Sequence, residues 1–141
     1  MEVGLRIVED SVAKPTYATG GSVGFDIGAA APVEIEPGEV ATVGTGLVIA
    51  TPPGWALLVV LRSSTPRRFG VIQPHGVGVV DQDYRGSEDE IRLQLMNVRA
   101  SRITIPADAR IAQGIFVRVA QAQWAHYEPG AESRGGFGST E

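Results

Sequence analysis

The stretch Val40-Ala41-Thr42-Val43-Gly44-Thr45-Gly46-Leu47-Val48-Ile49-Ala50-Thr51-Pro52-Pro53-Gly54-Trp55-Ala56-Leu57-Leu58-Val59-Val60-Leu61 decides the fold class. Three apolar runs, Val40 to Val43, Leu47 to Ala50 and Trp55 to Leu61, are parted by Gly44, Gly46 and the turn Pro52-Pro53-Gly54. Short apolar runs bounded by Gly and Pro read as strands. Trp55 to Leu61 holds no polar residue, as expected of a strand buried on both faces. The rhythm continues in both directions. Upstream, Val3, Leu5 and Ile7 alternate with other residues, and Val33-Glu34-Ile35-Glu36 alternates before Pro37-Gly38. Downstream come Val77 to Val80, Ile91 to Met96, Ile103 to Ile105 and Ile115 to Val119. β-Branched residues dominate these runs. A helical period is nearly absent. One short helix is expected around Ser63 to Phe69, with Ser63 or Ser64 as cap and Pro66 in its first turn. Many short strands with Gly/Pro turns predict an all-β sandwich, jelly roll or barrel.

The chain has 141 residues, 43% hydrophobic and 20% charged, which predicts one globular domain. Cysteine is absent, which excludes disulfides, thiolate metal sites and cysteine nucleophiles. No run of 18 or more apolar residues exists, so no membrane-spanning helix is expected. Met1-Glu2-Val3-Gly4 has neither the basic nor the apolar region of a signal peptide, and a cytoplasmic or viral-intracellular setting is expected. The net charge of −4 argues against a duplex nucleic-acid binder. Lys14 is the one lysine beside eleven arginines, so an anion site here is built from guanidinium forks. From Glu128 to Glu141 the only large apolar residue is Phe137. Such a tail is disordered or is ordered by something it binds.

Five clusters carry polar chemistry in an apolar setting. In Val23-Gly24-Phe25-Asp26-Ile27-Gly28 one Asp lies in a strand-like stretch, as a turn acceptor or a site carboxylate. In Arg62-Ser63-Ser64-Thr65-Pro66-Arg67-Arg68 a strand ends in a guanidinium, two hydroxyls and a helix start. That is either a capped helix with solvated arginines or an oxyanion site suited to phosphate. In Gly76-Val77-Gly78-Val79-Val80-Asp81-Gln82-Asp83-Tyr84-Arg85-Gly86 two glycines let backbone approach a ligand. Asp81 follows an apolar pair, partly desolvated, and suits a general base; a plain hairpin with turn carboxylates is the other reading. Arg110-Ile111-Ala112-Gln113 opens an apolar strand, where Gln113 is structural or functional. Arg134-Gly135-Gly136-Phe137-Gly138-Ser139-Thr140 is a floppy end or a phosphate wrap, and its context is not that of a P-loop.

Taken in order, these clusters resemble the five motifs of the trimeric all-β dUTP diphosphatase (dUTPase) family, from Thr16 to Thr140. Val79-Val80-Asp81-Gln82-Asp83-Tyr84-Arg85-Gly86, Arg110-Ile111-Ala112-Gln113 and Gly136-Phe137-Gly138-Ser139-Thr140 are the most specific pieces. The resemblance implies a distorted jelly-roll/β-barrel of short strands with one short helix. It divides the chain into a β-barrel domain over 1–127 and a flexible C-terminal arm over 128–141. It implies Mg²⁺-assisted hydrolysis of dUTP to dUMP and pyrophosphate, which limits uracil in DNA and supplies dUMP for dTMP synthesis. Asp81 would orient and deprotonate the water attacking the α-phosphorus. Arg62, Ser63, Ser64 and Gln113 would bind phosphate, and Asp26 would hold hydrated Mg²⁺ through water. Gly78, Val79 and Val80 would read uracil with their backbone in a hairpin that runs on to Arg92. Tyr84 would pack under the deoxyribose. Arg134, Gly138 and Ser139 would close over phosphate, and Phe137 would stack on uracil. A homotrimer with shared active sites is inherited from the resemblance, while the charge and the lack of a long apolar run lead to the expectation of no nucleic-acid or membrane partner.

Four positions depart from the family pattern. Arg134-Gly135-Gly136-Phe137 is two residues shorter than the usual final motif, Arg-Gly-x-Gly-Gly-Phe-Gly. Ser87-Glu88-Asp89-Glu90 reads as an insertion near the base pocket, His75 stands where some members carry a uracil-touching Asn, and Leu61 replaces a common Pro. The nearest rival is a dCTP deaminase-like enzyme of the same fold, which needs a Glu where this chain has Gln94. A nucleotide-binding regulatory protein is a second rival, and a structural jelly roll a third.

Overall fold

The computed structural model describes residues 1–130, 132–133 and 135. Among them are eleven strands and one helix. In order these are β1 (Gly4–Ile7), β2 (Phe25–Gly28), β3 (Val33–Ile35), β4 (Val40–Gly44), β5 (Leu47–Ala50), β6 (Trp55–Leu61), α1 (Thr65–Phe69), β7 (Val71–Ile72), β8 (Gly78–Val80), β9 (Arg92–Asn97), β10 (Ile103–Ile105) and β11 (Arg110–Arg118). A four-stranded sheet runs β2-β11-β6-β8 and a three-stranded sheet β4-β9-β7, with the pairs β1-β5 and β10-β3 beside them. Every strand pair is antiparallel. The expected all-β jelly roll with one short helix is what forms, and no helix among the described residues is long and apolar enough to cross a membrane.

The core follows from strand periodicity. In β9, Leu93, Leu95 and Asn97 are buried while Arg92 and Gln94 are exposed. Ile27, Leu57, Val59 and Ile111 of the larger sheet meet Val43, Leu93 and Leu95 of the smaller in one cluster. The strand expected to be buried on both faces is buried on one. Leu57 and Val59 face the core, and Leu58 and Val60 are half-covered on the other side.

Three elements depart from expectation. In β1 all four residues are exposed, because among the described residues the strand pairs only with β5 and its apolar side borders an open groove with Phe25, Ile49 and Phe116. Helix α1 begins at Thr65, and Ser64, though at the cap position, is already helical and its hydroxyl caps nothing. Instead the buried Thr65 hydroxyl donates to the Ile111 carbonyl at 2.7 Å, which fastens the helix to β11. Strand β11 begins at Arg110, well before the apolar run at Ile115, because β2 and β6 pair with it on both sides and their ladders hold polar residues in strand. Beyond β11, residues 119–130 carry no regular structure, and Trp124 is 96% exposed.

Candidate active site

Strand pairing gathers the first half of the site. Gln113 of β11 lies opposite Asp26 of β2 on one side and Val60 of β6 on the other, one residue short of the end of β6 where Arg62 follows. The Asp26 carboxylate, 11% exposed, takes two guanidinium groups. Oδ1 pairs with Arg62 Nε at 3.2 Å and Oδ2 with Arg110 Nη1 at 3.1 Å. Each arginine spends one edge on Asp26 and keeps other N–H donors. The cluster therefore has one positive charge in excess and is shaped for an anion. Gly24 makes room for Gln113, since a Cβ there would lie 3.0 Å from Gln113 Oε1. Ser63 and Ser64 stand exposed beside Arg62, and Ser64 is not consumed as a helix cap.

Arg110 is the member that sequence reading left outside the site. Residues three apart on a strand point to opposite faces. A bulge between Arg110 and Ala112 shifts the register against β2, so Arg110 opposite Gly28 and Gln113 opposite Asp26 share a face. The Arg-Ile-Ala-Gln spacing carries that geometry only once the bulge is known.

The second half is a cleft of about 440 Å³ between β8 and β9. Gly78, Val79 and Val80 line it along β8, and Arg92, Leu93 and Gln94 along β9. Strand β8 is the edge of its sheet, so among the described residues one row of its backbone N–H and C=O groups has no strand partner. Gln73 and His75 lie before β8 and Asp81 and Tyr84 beyond it, and all four line the cleft. Gln73, 9% exposed, was not singled out from sequence. Its Nε2 donates to the Val59 carbonyl at 3.2 Å and approaches His75 Nε2 at 3.4 Å. An amide nitrogen only donates, so His75 Nε2 accepts, and Nδ1 carries the proton toward the Val77 carbonyl at 3.1 Å. Gln73 Oε1 is buried with no hydrogen-bond partner among the described residues.

Tyr84 donates its hydroxyl to the Glu90 carbonyl at 2.9 Å. Glu90, the last residue of the segment read as an insertion, is held in place. Its side chain is 19% exposed and pairs with Arg92 Nε at 3.1 Å. Asp81 is exposed, not partly desolvated as expected, because it lies past the last residue of β8, whose outer edge carries no strand among the described residues.

The two halves lie apart. The β6–β8 register sets Leu57 opposite Val80. Continued by one residue it sets Asp81 beside Ala56, six positions from Arg62, or about 20 Å along the strand. Of the remaining expected residues, Arg134, Phe137, Gly138 and Ser139 lie outside the described residues.

Comparison with known proteins bears on this geometry. A family model described as dUTPase matches residues 10–141. A deoxyuridine 5'-triphosphate nucleotidohydrolase of Burkholderia lata is 36% identical, the match covering 99% of this chain and 98% of that protein. One from Neisseria meningitidis is 34% identical over 99% of this chain and 97% of its own. The crystal structure of a dUTPase from Streptococcus mutans superposes with a TM-score of 0.79 at 28% identity, covering 86% of this chain and 99% of that one. A dUTPase variant of Staphylococcus bacteriophage 80alpha, solved with dUpNHpp, shares the fold with a TM-score of 0.87 at 19% identity, over 99% of this chain and 98% of that one. Matched along nearly its whole length by the model and by both curated relatives, the chain belongs to the dUTPase family.

Proposed function

We propose that this protein hydrolyses dUTP to dUMP and pyrophosphate, in sites shared between copies of the chain. The observation that carries the reading is the cleft along the open edge of β8, which ends at the Asp81 carboxylate. Backbone N–H and C=O groups of Gly78 to Val80 read the pyrimidine. A base with donor and acceptor exchanged leaves those groups unpaired, which rejects cytosine. Tyr84 offers its ring to the sugar, and its hydroxyl proton is already committed to Glu90. Asp81 accepts a proton from water as the water oxygen bonds to the α-phosphorus. The bond from that phosphorus to the α,β-bridging oxygen breaks, and pyrophosphate leaves. Exposed in one chain, Asp81 acquires its desolvation when substrate and a neighbouring copy cover it. Arg62, Arg110, Gln113, Ser63 and Ser64 bind the phosphates, and positioning with charge neutralisation supplies most of the rate.

The separation of about 20 Å between Asp81 and Arg62 supports completion of each site by a second copy, and a homotrimer is the assembly we propose. The arm over 128–141, with Arg134, Phe137, Gly138 and Ser139, closes the site. A cytoplasmic location goes with the substrate.

The residues fit Mg²⁺ in one way only. Both Asp26 oxygens already face guanidinium groups, and among the described residues no group of three His, Asp or Glu gathers to hold a metal. That donor set suits an ion carried in on the triphosphate, with its waters, and reached by Asp26 through one of them. When bound, such an ion neutralises phosphate charge. Gln94, in the cleft where deamination would need an acid/base, cannot shuttle a proton. Incubation with dUTP, dCTP and dTTP plus Mg²⁺ tests the reading: pyrophosphate is expected from dUTP alone, with no ammonia. Inertness toward dUTP would defeat it and favour a nucleotide-binding regulator.

A further inference from the structure

We propose that Glu90 is a positioning residue that holds Tyr84 and Arg92 in place and so sets the discrimination between deoxyribose and ribose substrates; this rests on the dUTP reading above. The segment Ser87-Glu88-Asp89-Glu90 departs from the family pattern, yet it is tied down at each step. Gly86 N–H donates to Asp89 Oδ2 at 2.6 Å, and Arg6 Nη1 donates to the Ser87 carbonyl at 3.1 Å. At its end the chain is stitched to the turn between β4 and β5. Gly46 N–H donates to Glu90 Oε1 at 2.7 Å, the Thr45 hydroxyl to the Ile91 carbonyl at 2.6 Å, and Ile91 N–H to the Leu47 carbonyl at 2.8 Å. Gly44 lies against this carboxylate, since a Cβ there would come within 2.7 Å of Glu90 Oε1 and push it aside.

Two cleft-lining side chains depend on this anchor. Glu90 Oε2 pairs with Arg92 Nε, and the Glu90 carbonyl receives the Tyr84 hydroxyl. With its proton spent, Tyr84 presents mainly carbon to the cleft. A ribose 2'-hydroxyl pressed against carbon loses its water without a replacement donor, a handicap of roughly ten- to a hundredfold. The handicap exists only while the ring is held still. Losing the Glu90 side chain frees the carbonyl that holds Tyr84.

The test compares kcat/KM for dUTP and UTP in the wild type, Glu90→Ala, Glu90→Gln, Tyr84→Phe and the double variant Glu90→Ala/Tyr84→Phe. Glu90→Ala should lower the dUTP/UTP ratio about tenfold, chiefly through KM. Glu90→Gln keeps an oxygen for Gly46 N–H and should retain the ratio, while losing the charge on Arg92. Tyr84→Phe should reproduce the Glu90→Ala ratio, and the double variant should fall no further, since both cut one connection. Hydrogen exchange at the amides of residues 84–86 should quicken in Glu90→Ala. A merely structural glutamate would change thermal stability and leave the ratio and the coupling alone. An unchanged ratio in active Glu90→Ala overturns the proposal, as does unchanged exchange at 84–86. Failure of the wild type to hydrolyse dUTP defeats the functional reading instead, and the exchange measurement still decides the anchor.

Discussion

If Asp81 and Arg62 serve the same reaction from different chains, two dead variants should revive each other. Asp81→Asn removes the proton acceptor, and Arg62→Ala removes a phosphate donor together with one of the two partners of Asp26. Loss of a general base costs about 10²- to 10⁴-fold, so the Asp81→Asn parent should retain no more than about 1% of activity. The structure fixes the yield of the mixture. Extended by one residue, the β6–β8 register puts Asp81 six positions from Arg62 along β6, about 20 Å at the usual strand rise, a span that a loop shift does not close. On the proposed reading each site takes one residue from one chain and the other from a neighbour. After equal amounts are unfolded and refolded together, each contribution is intact in half the cases. About one site in four is then fully wild type, for any closed ring of copies. Pyrophosphate release from dUTP should recover to roughly a quarter of the wild-type rate, at least an order of magnitude above the Asp81→Asn parent. If both residues belonged to one site within one chain, every chain would carry one defect and mixing would restore nothing. Absence of recovery, with mixed assemblies verified by mass, would refute the argument.

Asp26→Ala leaves two neighbouring guanidinium groups without their shared acceptor and should cost about 1–2 kcal/mol in thermal unfolding and raise KM, since both arginines are partly exposed. Gln73→Leu removes a buried acceptor that has no partner along with two donor contacts, so its melting temperature should stay within a few degrees. Its KM for dUTP should rise as His75 loses its orientation. Gly114→Ala would set a Cβ 2.3 Å from Phe25 Cζ in the core and should destabilise by about 1–3 kcal/mol in denaturant titration. Deleting residues from Arg134 onward should leave the melting temperature unchanged and abolish most pyrophosphate release; full activity would show that the arm is not used.

Most of the strands were legible because each is a short apolar run closed by Gly or Pro, and β10 falls where Ile103 to Ile105 predicts it. What the sequence hid depends on partners distant along the chain. Strand β7 has only Val71 and Ile72 and exists because β9 lies beside it. The early start of β11 depends on two flanking strands. Arg110 joins the Asp26 cluster through a bulge that no alternation pattern signals. Within the site, sequence singled out Asp26, Arg62 and Gln113, and the fold brings them together. It singled out Asp81, Tyr84 and His75, and the fold sets them along one cleft. Gln73 escaped notice, and Glu90 was read only as part of an insertion, because their meaning lies in what they touch: the Val59 carbonyl and His75 for one, Gly46 and Arg92 for the other.

The chain has two indoles in very different surroundings. Trp55 lies at the head of β6 with the Arg118 guanidinium 5.2 Å from its ring, whereas Trp124 is almost wholly bathed in solvent. Their emission should separate, Trp124 contributing the redder, quenchable component. Anything that settles over residues 119–130, whether a sister subunit or a folded-back terminus, will shift that colour toward the blue, which gives the molecule an intrinsic optical gauge of its own assembly.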